Sequence, residues 1–124
     1  MSDHRKADRE SLKTFTPVFR LKPRSVIGYI EDLTMNGAMV IGEKLLEADQ
    51  QMTLSIEFPA GLPELSIPNI VTPARVAWCR QEEKTGYFMT GFEFVDLSPE
   101  NEKNIEAILH RYTFHRQVHL KDIE

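Results

Sequence analysis

The chain of 124 residues has a single cysteine, Cys79, so no internal disulfide can hold it together. Long apolar runs are also missing. The longest uninterrupted hydrophobic stretch is four residues, as at Ala38–Ile41, against the roughly 20 needed to cross a bilayer. The leading Met-Ser-Asp-His-Arg-Lys carries none of the apolar character of a secretion signal. A cytoplasmic protein without membrane insertion is therefore expected. No Gly-rich loop followed by Lys-Ser or Lys-Thr occurs, which excludes an NTPase of the P-loop kind. No acid/base carboxylate pair stands out, and Cys79 has no His near it in sequence. His115 and His119 have the i, i+4 spacing of metal ligands but no evident third partner. Neither an enzyme nor a metal site is expected.

What is present suits one domain, since a single core serves chains up to roughly 250 residues. Net charge is −4 but unevenly spread. Residues 1–24 hold seven basic and three acidic groups; the other 100 hold eight basic and sixteen acidic. An acidic body is a poor tracker of nucleic acid, where a basic face is the usual footprint. A small basic segment on such a body still suits a compact anion. Residues 1–14 contain almost nothing apolar and read as a flexible arm, and residues 117–124 as a C-terminal tail.

Strands follow. In Val18–Lys22, Phe19 and Leu21 alternate with Arg20 and Lys22 up to Pro23, which predicts Phe19 and Leu21 inward. Ser25–Leu33 and Ala38–Ile41 flank an Asp-Leu-Thr-Met-Asn-Gly turn, in which Gly37 would accept positive φ. Gln51–Phe58 places Met52, Leu54, Ile56 and Phe58 on one face. The proline-rich 59–73 segment reads as loop or irregular edge. Ala74–Arg80 sets Val76 and Trp78 on one side, and Tyr87–Val95 is broken by Gly91, which suggests a bulge or a close backbone approach. Ser98 and Pro99 then open a helix with an Ile105, Ile108, Leu109 and Tyr112 stripe. The class is all-β with one C-terminal helix, a small antiparallel six-stranded barrel over residues 15–116.

Two local patterns remain: Arg5-Lys6-Ala7-Asp8-Arg9 in the arm, and Asp32-Leu33-Thr34-Met35-Asn36-Gly37 in the turn. In this order on a small barrel they resemble the PilZ domain, the bacterial receptor module for cyclic di-GMP. Arg5 and Arg9 match its Arg-x-x-x-Arg segment. Asp32, Thr34 and Gly37 match its Asp/Asn-x-Ser-x-x-Gly turn, with Thr34 in place of the usual Ser. The later strands and closing helix extend the likeness over residues 5–112.

The resemblance implies a cyclic di-GMP sensor or adaptor that binds through Arg5, Arg9, Asp32, Thr34 and Gly37. His4, Lys6, Asn36 and Trp78 lie at its periphery. An unidentified protein partner would read the output, in motility or exopolysaccharide regulation. Guanidinium forks match phosphate oxygens and the O6/N7 edge of guanine, and Asp32 offers an acceptor for the opposite edge. Trp78 can stack on a base, although a lone Trp in a strand favours a place in the core. The alternatives are a ligand-free PilZ-like interaction module and, less favoured, a small barrel for single-stranded nucleic acid.

Overall fold

The computed structural model describes residues 10–11, 16–58 and 69–113. Its strands are β1 (Glu10–Ser11), β2 (Pro17–Arg20), β3 (Ser25–Leu33), β4 (Gly37–Gly42), β5 (Gln51–Glu57), β6 (Asn69–Gln81) and β7 (Phe88–Phe94). A helix α1 (Pro99–Arg111) and a two-residue strand β8 (Tyr112–Thr113) follow. Six strands close a barrel in the order β2-β3-β4-β7-β6-β5, every neighbouring pair antiparallel. The expected six-stranded barrel with one C-terminal helix is the observed architecture.

The unbroken alternation of β5 is carried into the fold as read. Met52, Leu54, Ile56 and Phe58 are all buried. They meet Val18, Val40, Ile70, Ala74, Val76 and Phe92 in one core. The helix begins where its cap dictates: the Ser98 hydroxyl accepts the Asn101 N–H at 3.1 Å, and the Ser98 carbonyl accepts the Glu102 N–H at 2.9 Å. Ile105 and Ile108 then enter the barrel core with no exposure, each contributing about 1.5–3 kcal/mol by burial. The Asn101 side chain donates to the Val71 carbonyl at 2.9 Å and ties α1 to the first part of β6.

Three strand expectations are corrected. Val18, not Phe19, faces the core, because Val18 is paired with the buried Ile56 and Phe19 with Ser55 across the β2–β5 ladder. Phe19 stays half-buried on the outside, with the Arg24 guanidinium 3.9 Å from its ring centroid. The proline-rich segment turns to strand at Asn69, well before Pro73. Pro73 is tolerated because its carbonyl points towards Val95, whose N–H it accepts at 2.9 Å. The missing proline N–H lies on that same side, so the ladder to β5 loses nothing. Finally, β6 does not keep Val76 and Trp78 on one face, which bears directly on the site below. Glu10 and Ser11, within the segment read as an arm, pair in parallel with Tyr112 and Thr113. The tail over 117–124 lies outside the described residues.

Candidate functional site

Strict alternation along β3 from Gly28 and Ile30 would aim Asp32 into the core. A bulge prevents this. The β3–β4 register runs Ile30↔Val40 and then Asp32↔Met39, which leaves Glu31 as the extra residue. Glu31 joins Ile30 inside, 2 % exposed, and Asp32 turns out to the surface. Re-aiming a side chain is what a bulge accomplishes. One Asp32 carboxylate oxygen, Oδ1, accepts the Leu33 N–H at 3.0 Å, which steadies the side chain at the start of the bend.

The bend is held by Thr34. Its hydroxyl accepts the N–H groups of Asn36 (3.1 Å) and Gly37 (3.2 Å) and donates to the Gly37 carbonyl (3.3 Å). The Thr34 N–H donates to that same carbonyl at 2.9 Å. A hydroxyl has one proton and two lone pairs, so this one is fully committed to the turn. Gly37 does not have the positive φ expected of it. Glycine is required for another reason: a Cβ there would sit 2.0 Å from the Phe92 carbonyl oxygen of β7. The Asn36 carbonyl accepts the Phe94 N–H at 2.9 Å, which pins the bend to the end of β7.

From the bend, a single outward row crosses four strands. Asp32 pairs with Met39, Met39 with Gly91, and Gly91 with Trp78. At about 4.8 Å per strand the outer two backbones stand roughly 14 Å apart. The adjacent row, Leu33, Ala38, Phe92 and Val76, is buried throughout. Trp78 was favoured for the core on the strand pattern and is instead 38 % exposed. The cause is a second register shift, between Val76 and Trp78, which turns the indole to the outside. The ring lies against Gly91: a Cβ on that glycine would fall 2.4 Å from the indole Nε1. The close approach suggested by Gly91 is thus found, with the bulge in the opposite strand. The Arg80 guanidinium stands 5.0 Å from the Trp78 ring centroid. Tyr29 and Met35 add exposed apolar surface around this row.

Arg75, whose β6 position pairs with Glu93 opposite Gly37, is already engaged. Arg75 donates to Glu93 at 2.6 Å and to Asp49 at 2.6 Å, and these bonds, Glu93 first, raise its pKa above the ordinary arginine value. Arg80, over the Trp78 ring, is the other arginine placed on this face among the described residues. Asp32, Thr34, Asn36 and Gly37 are brought together, with Trp78 on the same outer row. Arg5 and Arg9, with His4 and Lys6, lie outside the described residues. Chain connectivity nevertheless limits them. The Thr16 carbonyl accepts the Ile30 N–H at 2.9 Å, two residues from Asp32. Seven extended residues span at most about 25 Å, so Arg9 has the reach to meet the Asp32 carboxylate. Among the described residues no group of three or more His, Cys, Asp or Glu is placed to hold a metal, and no helix is long and apolar enough to cross a membrane. His115 and His119 lie outside them. The Cys79 thiol, half-buried, accepts from Leu46 N–H at 3.4 Å and Thr90 Oγ1 at 3.2 Å.

No curated protein matches this chain. Among solved structures, the Bacillus subtilis inhibitor of motility MotI/DgrA is similar, with a TM-score of 0.61 at 16 % identity. That likeness covers 77 % of this chain and 46 % of the other, so it speaks to the fold alone, and this chain spans less than half of that protein's length. The model of the PilZ domain matches residues 3–111, taking in both the arginine pair and the bend. The chain belongs to the PilZ domain family.

Proposed function

We propose that this protein is a cyclic di-GMP sensor or adaptor. Its ligand draws Arg5 and Arg9 onto the outer face that carries Asp32 and changes the surface offered to a partner protein. The observation that carries the reading is the outward Asp32 on a pinned bend, within reach of the arginine segment through Thr16. Asp32 keeps acceptor capacity for the N1–H and amino donors of guanine. A guanidinium fork reads the opposite guanine edge or a phosphate, and either Arg5 or Arg9 serves for each task. Trp78, 38 % exposed beside Gly91, provides an aromatic surface on which a base can stack. Gly37 and Thr34 act on the ligand through the bend: the glycine admits the Phe92 carbonyl, and the hydroxyl locks the turn. Threonine serves here as well as serine, because the hydroxyl alone makes these bonds.

The mechanism needs no catalysis. Ordering each backbone residue of the segment costs about 1–2 kcal/mol, and each charge-assisted hydrogen bond returns roughly 1.5–3 kcal/mol. Several such bonds arriving together make a clamp, a disorder-to-order switch. Calorimetric titration of the full chain with cyclic di-GMP tests this. Arg9→Ala is expected to bind about 10- to 100-fold more weakly, the loss of one or two such bonds. A parent chain giving no heat of binding at high micromolar ligand would leave the ligand-free interaction module as the better reading.

A further inference from the structure

We propose that the β1–β8 pair couples the ligand-binding segment to the end of the helix, making the residues after α1 the output of the receptor. This rests on the cyclic di-GMP reading above. The coupling is visible in the backbone. Glu10 pairs with Tyr112 and Ser11 with Thr113, in parallel and apart from the barrel. On one side of the pair, Glu10 directly follows Arg9. On the other, Tyr112 directly follows Arg111, the last residue of α1. The helix itself cannot easily drift, because Ile105 and Ile108 are locked in the barrel core.

A two-residue pair is marginal by itself, so its population responds to small biases from either end. Ligand that fixes Arg9 fixes the residue next to Glu10 and favours pairing. Pairing in turn pre-orders the C-terminal end of the arginine segment, next to Arg9, and raises the competent fraction that ligand selects. Linkage makes this reciprocal. A partner that grips residues 112–113 and draws them from β1 weakens ligand binding, and bound ligand weakens that partner's grip by the same factor.

Proline at either strand breaks the pairing without touching the barrel. Thr113→Pro and Ser11→Pro are placed separately and together in the full chain. Cyclic di-GMP affinity is read by calorimetry, barrel integrity by thermal melting, and amide protection at residues 112–113 by hydrogen exchange. Each single variant is expected to bind about tenfold more weakly, the order of one backbone residue left to be ordered. Melting should be unchanged, and the double variant no weaker than either single one, since both remove one interaction. In the parent chain, ligand should slow exchange at residues 112–113. Variants that bind as tightly as the parent, or losses that simply add, overturn the coupling while leaving the ligand assignment intact. A parent chain that does not bind cyclic di-GMP removes the assignment and the coupling together.

Discussion

The two outer faces of the barrel are built to different degrees of completion. Across β2, β5 and β6, the polar groups around Glu57 form one connected set. Arg24 reaches both Glu57 carboxylate oxygens, at 2.9 and 3.1 Å, while lying over Phe19. The Ser55 hydroxyl donates to Glu57 and accepts from the Asn69 side chain. Across β3, β4, β7 and β6, the Asp32 side chain holds only its neighbour's N–H among the described residues, and an indole is left 38 % open to solvent. The bonded face is scaffold. The other face, built by two bulges and two glycines that admit close contacts, is where the proposed ligand site lies, because an unfilled carboxylate and an exposed ring give a ligand something to satisfy.

Substitutions that erase this asymmetry should have graded effects. The largest is expected from Gly37→Val, whose Cβ would collide with the Phe92 carbonyl oxygen. Parting β4 from β7 should cost about 3 kcal/mol, the upper end of steric overpacking and backbone displacement, read as a fall in the denaturant midpoint at unchanged slope. Next comes Asp32→Ala. Its side chain is exposed, so stability should move by no more than about 0.5 kcal/mol. Cyclic di-GMP affinity should nevertheless drop about 10- to 100-fold, measured by calorimetry. Thr34→Ala should lose about 1 kcal/mol with its turn bonds, whereas Thr34→Ser melts and binds like the parent.

The smallest effect belongs to the scaffold face. The bond from Arg24, aided by Ser55 and against a partial desolvation, holds the Glu57 carboxyl below its ordinary pKa of 4.5. A depressed carboxyl contributes stability above its unfolded pKa and loses it as pH falls through the folded value. Arg24→Gln should therefore melt slightly lower than the parent at pH 7, a small effect because the pair is exposed and screened by solvent. The gap should close as pH falls below 4.5 and through the lowered folded value. A gap that widened in acid would contradict the assigned pair. Ligand affinity should be unchanged, which separates this face from the other.

The same comparison explains what was legible in the sequence. Strand β5 could be read because nothing interrupts its alternation, and α1 because Ser98 and Pro99 act locally. The bend was legible as a motif: Asp32, Thr34, Asn36 and Gly37 fall within six consecutive residues, so spacing alone brings them together. Trp78 was misplaced because its direction depends on the register of β6 against β7, a property of two strands that one strand's pattern does not contain. Val18 and Phe19 were exchanged for the same reason, since β5 decides which of them meets Ile56. The role of Gly37 was hidden too, because the carbonyl that excludes a Cβ comes from Phe92, far along the chain. Residues whose partners are local could be read; those placed by non-local register could not.

The most direct test is a titration of the isotope-labelled full chain with cyclic di-GMP, followed by amide and indole NMR shifts. Asp32, Met39, Gly91 and the Trp78 indole are predicted to shift in step with ligand, while Ser55, Glu57 and Asn69 stay where they are. Shifts centred on Phe19 and Glu57, or a spectrum unmoved by high micromolar ligand, would contradict the assignment of the receptor face.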